Sequence, residues 1–190
     1  PDVTYHFCNE TLREPFYTAC WRYEDCKKHR IFAPGCGYPI KGFHLLLEAF
    51  ADVVKAYPDA TLAVAGNSFF ADGLRARLRQ GSYGHYLARL AEEYGLAARI
   101  EFLGRLTAEG MRDAYLQSNV FVMPSTMENS PNVLGEAMLL AVPCVAADVG
   151  GVRNLMCHGE EGLVYASGDI RALTEDILQL FAMEEKAAAL

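Results

Sequence analysis

The sequence has no long apolar run. Nothing in it approaches the ~18 residues that a membrane-spanning helix needs, so no segment is expected to cross a bilayer. It also lacks a basic surplus: 17 lysines and arginines stand against 24 aspartates and glutamates, a net charge of -7. Nucleic acids and anionic membranes both need a basic face. Neither is an expected partner, and peripheral membrane contact is expected only through a part of the protein beyond this chain. There is no Cys-x-x-Cys pair and no His-Glu-x-x-His helix. The six cysteines (Cys8, Cys20, Cys26, Cys36, Cys144, Cys157) fit no zinc spacing and the histidines are scattered, so no metal is expected. A chain of 190 residues can build a core without disulfides. The thiols are therefore read as free, in a reducing compartment, the cytoplasm. No secretory signal opens the chain.

Two common nucleotide fingerprints are missing as well. The loop PGCGYPIKG begins a Gly-x-Gly at Gly35 and Gly37, but Ile40 stands where the third glycine of a dinucleotide loop belongs. No Ser or Thr follows Lys41-Gly42, which excludes a Walker loop. What the loop offers is one cation, Lys41, near a helix start, where phosphate is attracted by charge and by helix amides.

The composition, 52% hydrophobic and 22% charged, is that of a globular domain with a real core. From residue 31 a rhythm sets in. Strands are expected over 31–33, 61–65, 99–103, 120–123, 143–147 and 162–165. Helices are expected over 42–57, 82–94, 107–117 (capped by Thr107), from Ser130-Pro131 onward, over 152–157, and over 169–183 with Asp169 at the cap. Residues 67–80 are ambiguous. Strands alternating with helices make a Rossmann-like α/β domain: three layers, about six parallel strands, helices on both faces. Residues 31–186 form this domain. Residues 1–30, rich in aromatics and charge, read as a linker packing on its edge, with a helix over 10–20 capped by Asn9. Residues 187–190 read as a vector-derived tail.

In such sheets ligands bind off the carboxyl ends of the strands. The polar and glycine-rich loops fall there: 35–42, Gly66-Asn67, Gly104-Arg105, 125–132 and 148–151. The strongest constellation is Glu128 and Glu136, seven residues apart, around a helix start. Ser130 suits the N-cap and Pro131 the first helical position. Each ionised carboxylate can accept two hydrogen bonds from a vicinal diol, and the amides of Asn132 and Val133 face any phosphate between them. Both glutamates could equally serve the helix dipole or solvent. Gly150-Gly151 suits a tight turn where chain and ligand approach closely.

PIKGFHLLLEAF, TLAVAG, RIEFLGRL, ENSPNVLGEAM, PCVAADVGGVRNL and EEGLVYASGD, in this order, resemble the C-terminal domain of retaining group 1 glycosyltransferases of family four, with the GT-B fold. The resemblance covers residues 31–184. The lead-in HFCNETLREPFY resembles the linker of a bacterial subgroup. The resemblance implies a UDP- or GDP-linked sugar as donor and no metal or other cofactor. Glu128 would bind hydroxyls of the transferred hexose, beside Asn129 and Ser130, and Glu136 the ribose diol. Lys41, Gly42 and the amides of Asn132 and Val133 would hold the diphosphate. Gly104, Arg105 and Leu106 would face the base. Glu128 and Lys41 would carry the catalytic role, and an N-terminal domain outside this chain would bring the acceptor. Two positions depart from the family pattern. Cys36 replaces an arginine expected to hold the diphosphate, so that one of two cations is missing or another residue, Arg105 or Arg13, supplies it. Asn154 replaces a glutamate common after the Gly-Gly pair. The alternatives are a non-catalytic nucleotide-sugar binding module, or a related epimerase or phosphorylase.

Overall fold

The computed structural model describes residues 11–70 and 81–188. Asn9, Glu10 and most of the ambiguous stretch over 67–80 lie outside these residues. A six-stranded sheet forms the middle layer: β1 (Lys27–Ala33), β2 (Thr61–Val64), β3 (Ile100–Phe102), β4 (Ser118–Met123), β5 (Cys144–Ala147) and β6 (Leu163–Tyr165). Their order is β3-β2-β1-β4-β5-β6, and every neighbouring pair is parallel. The helices are α1 (Phe43–Ala56), α2 (Ser82–Glu93), α3 (Ala108–Leu116), α4 (Asn132–Leu139) and α5 (Ile170–Ala188).

The strands separate two cores by simple alternation. In β4, Val120 and Val122 face the core shared with α1, α2 and α5, while Phe121 and Met123 face the core shared with α3 and α4. The helices follow from spacing and caps. Phe43, Leu46, Leu47, Phe50 and Val53 bury one stripe of α1, and the chain leaves the helix at Tyr57, ahead of Pro58. The Thr107 hydroxyl accepts from the Gly110 amide at 3.2 Å and starts α3. Asp169 caps α5 through the Ala172 amide at 2.9 Å. These are the three layers that alternating strands and helices predict.

Four local expectations change. Strand β1 begins at Lys27, so residues given to the linker belong to the sheet. Its first half is charged and shows no apolar run, yet Arg30 is buried there because Glu101 of β3 accepts from its guanidinium at 2.6 Å. The linker helix reduces, among the described residues, to a 3-10 turn over Glu14–Tyr17. Its Phe16 is fully buried in the α3/α4 core, and the Trp21 ring nitrogen donates to the Ser118 carbonyl at 2.7 Å. The expected helix over 152–157 is a 3-10 turn, Gly150–Asn154. Helix α5 runs on to Ala188, through part of the alanine run read as a tail.

The strand order reverses between β1 and β4. The chain leaves β1 toward α1 on one face and β4 toward α4 on the other. A crevice opens between the two carboxyl ends, the position where doubly wound sheets bind ligands.

Candidate functional site

Lys41 lies on the loop after β1 and Glu128 on the loop after β4, one on each side of this crevice. The Lys41 ammonium donates to Glu128 Oε1 at 2.6 Å, and the Ser125 hydroxyl donates to the same oxygen at 2.7 Å. Two backbone clamps fix the geometry. On one side the Thr126 amide donates to the Ile40 carbonyl at 2.8 Å. Gly42 has φ +64°, and a Cβ there would lie 1.8 Å from the Pro124 carbonyl oxygen. On the other side the Gly151 amide donates to the Asn129 carbonyl at 2.8 Å. A Cβ on Gly150 would lie 1.8 Å from the Glu128 carbonyl oxygen. The close approach that the Gly-Gly pair permits is therefore to the loop bearing Glu128, where the sequence suggested a ligand.

Helix α4 starts one residue later than expected. Its N-cap is Pro131, with no side-chain cap bond, so Ser130 is not the cap. A proline in extended conformation (φ -79°, ψ 91°) cannot supply a hydroxyl, and the Pro131 carbonyl accepts the first helical amide, from Leu134, at 2.9 Å. Asn132 and Val133 are the first two helical residues. Their amides belong to the group that has no intrahelical acceptor. Asn129 and Asn132 are exposed and Ser130 half-buried at the same edge.

Glu136, one turn into α4, is buried. Its Oε1 accepts from Arg13 Nε at 2.9 Å and Nη2 at 2.6 Å. Its Oε2 lies 3.5 Å from the Tyr115 hydroxyl, which donates to the Val133 carbonyl at 2.8 Å. Sequence reasoning named Arg13 only as a spare cation. Ser125 and Tyr115 carried no signal, because a serine before a loop and a tyrosine in a helix are ordinary. Gly104 (φ +69°) follows β3 and bridges to Gly66. Arg105 is exposed beside it and Leu106 packs partly into the α3/α4 core. Strand β3 stands two places from β1, so Arg105 enters from a loop two strands away from the one that carries Lys41.

Cys36 is buried, its sulfur 3.8 Å from the Asn67 carbonyl. Burial pushes its thiol up to about 11, so it stays neutral and brings no charge to an anion. At pH 8 a maleimide should label exposed Cys20 quickly and leave Cys36 and Cys144 unmodified. Peptide mapping of the native protein checks this, and early labelling of Cys36 would contradict it. Among the described residues, one group of potential metal ligands converges: exposed Cys157, Glu160 and Glu161. These precede β6 and so lie at the amino ends of the strands, away from Lys41 and Glu128. A depression of about 480 Å³ between Trp21, Pro143, Gly162 and Met183 lies at that opposite edge too.

The site thus pairs two carboxylates with two cations around one helix start, a set able to accept from hydroxyls and donate to an anion. The same fold is found in solved proteins. Sucrose-phosphate synthase from Thermosynechococcus elongatus superposes with a TM-score of 0.70 at 26% identity, over 86% of this chain and 38% of that one. Anabaena HepE in complex with UDP-glucose gives 0.69 at 25% identity, over 84% and 40%. Among curated relatives, the D-inositol 3-phosphate glycosyltransferase of Corynebacterium urealyticum is 29% identical over 157 residues, 80% of this chain and 34% of the relative. A GDP-mannose-dependent phosphatidylinositol monomannoside mannosyltransferase of Mycolicibacterium smegmatis is 28% identical over 159 residues, 80% and 38%. This chain therefore spans a little over a third of the length of these relatives. The family model described as glycosyl transferases group 1 matches residues 25–190, and the chain belongs to that family.

Proposed function

We propose that this chain is the donor-binding half of a retaining glycosyltransferase, which moves a hexosyl unit from a nucleotide diphosphate sugar to an acceptor held by another domain. The observation that carries the reading is the Lys41–Glu128 contact across the β1/β4 crevice. It puts a phosphate-seeking cation and a diol-seeking carboxylate at one point, beside the start of α4. The relative that uses GDP-mannose and the neighbour that holds UDP-glucose support a nucleotide-sugar donor.

In this reading Glu128 accepts from hydroxyls of the transferred sugar and Glu136 from the ribose diol. Lys41 and the amides of Asn132 and Val133 take the diphosphate. As the glycosidic bond breaks, negative charge grows on the leaving diphosphate. The ammonium of Lys41, once turned from Glu128, and the positive end of α4 lie beside it, so their stabilisation is greatest when the charge is greatest. Asn129, Ser130 and Gly42 shape the same edge, and Gly104, Arg105 and Leu106 face the base. The whole protein acts in the cytoplasm, and this chain alone binds nucleotide without transferring sugar.

Lys41→Ala should weaken UDP or GDP binding by ~1–3 kcal/mol, the range for a lost charge-assisted hydrogen bond. Calorimetric titration of both proteins with both nucleotides measures it. Equal affinities would remove Lys41 from the site and the donor reading with it.

A further inference from the structure

The two site carboxylates are closed by cations in the same way. Lys41 Nζ stands 2.6 Å from Glu128 and Arg13 Nη2 stands 2.6 Å from Glu136. In each pair the cation is partly in solvent, 37% exposed for Lys41 and 49% for Arg13. In each the carboxylate is largely enclosed, 12% for Glu128 and 4% for Glu136. The cation is the member free to turn away; the carboxylate is the member held by the fold.

Arg13 is well rooted. Its carbonyl accepts from the Phe16 amide at 3.3 Å, its guanidinium lies 5.0 Å from the Phe16 ring, and Phe16 itself is fully buried. Leu12 beside it packs on Gly135 of α4. The guanidinium is thus delivered to the first turns of α4 by a fixed backbone. Among the described residues, two positions weighed above are poorly placed to supply a second cation. Cys36 is neutral and buried. Arg105 stands on the loop after β3, two strands from β1. Arg13 also lies outside residues 25–190, so the family match assigns it nothing.

We propose that Arg13 is the second cation for a nucleoside diphosphate, parked on Glu136 while the site is empty. This rests on the donor reading above. Binding then exchanges partners without making or breaking covalent bonds. Lys41 and Arg13 turn to the diphosphate, and Glu128 and Glu136 turn to diols. A diphosphate outcompetes one carboxylate because it carries more charge and offers paired oxygens that fit the guanidinium fork. The ribose hydroxyls replace the bonds Glu136 gives up, so the buried carboxylate keeps its partners.

Uridine, UMP and UDP are titrated against the wild type, Arg13→Gln and Arg13→Lys, with guanosine, GMP and GDP in parallel. Arg13→Gln should weaken the diphosphate roughly ten-fold or more, while changing the nucleoside about two-fold or less, since only the charge-assisted contact is lost. Arg13→Lys should recover part of the loss. A diphosphate affinity that is unchanged or tighter in Arg13→Gln overturns the proposal and makes Arg13 a cover over the ribose carboxylate. A wild type that binds no nucleotide overturns the donor reading itself, which is a different result. If Arg13→Gln does not fold, the Arg13 Nε–H resonance of the wild type decides. It should move to a different and more distant position with UDP (or GDP) than with the nucleoside, which only frees it from Glu136; the same response to both sinks the assignment.

Discussion

Replacing Gly42 by alanine should cost more than ~4 kcal/mol of stability and abolish nucleotide-diphosphate binding with it, placing it in the rare tail of single substitutions. Two effects add. The residue has φ +64°, a left-handed conformation that costs an ordinary L-residue roughly 1–2 kcal/mol. The greater cost is steric: the new Cβ would sit 1.8 Å from the Pro124 carbonyl oxygen and 2.8 Å from its carbon. Both are backbone atoms at the end of the central strand β4, and neither can turn aside. The loops after β1 and β4 must part, which breaks the Thr126–Ile40 backbone bond and draws Lys41 from Glu128. Gly37→Ala is the control. No atom lies within 4 Å of its Cβ position and its φ is not in the left-handed region, so its effect should stay within ~0.5 kcal/mol. Urea unfolding and UDP titration of both variants test the pair. A Gly42→Ala protein as stable as Gly37→Ala would show that the loops do not meet as described.

The contrast between these two glycines marks what a sequence can say. Both belong to one loop, and nothing in their neighbours along the chain tells them apart. Only the fold brings Pro124 against Gly42, from a segment more than eighty residues away. The periodic features were legible for the opposite reason: they are local. The stripe of α1 needs only the spacing of Phe43, Leu46, Leu47, Phe50 and Val53, and the core strands need only runs such as Val120 to Met123. Where tertiary partners override local pattern, the sequence misleads. Strand β1 carries Lys27, Lys28, His29 and Arg30 in its first half, and becomes strand because Arg30 finds Glu101 across the sheet. The site shows the same division. Glu128, Glu136 and Lys41 could be singled out by residue type beside loops at strand ends. Their pairing with Ser125, Tyr115 and Arg13 could not, since each pair joins groups whose nearness depends on how loops and helices pack.

Tyr115→Ala should destabilise the protein by ~3–5 kcal/mol, the range for deleting a large buried aromatic. Tyr115 of α3 is fully buried. Its ring meets Phe32 of β1 at 4.9 Å, Phe121 of β4 at 5.2 Å and Phe16 of the linker at 6.0 Å, all near edge-on. These contacts join the two strands that flank the crevice to the segment that presents Arg13. Its hydroxyl also donates to the Val133 carbonyl, in the first turn of α4. One side chain therefore ties both sides of the site to the core. For a domain of this size each kcal/mol moves the melting midpoint by ~2–4 °C, so the drop should be on the order of 10 °C. Tyr115→Phe separates ring from hydroxyl. It keeps the three aromatic contacts and loses one hydrogen bond, worth ~1 kcal/mol. Thermal melts of the two variants decide between packing and polar anchoring. If phenylalanine costs as much as alanine, the bond to Val133 is what holds α4 against the sheet. If it costs little, the rings hold the crevice, and the linker carrying Arg13 is fastened to the domain by Phe16 packing on Tyr115.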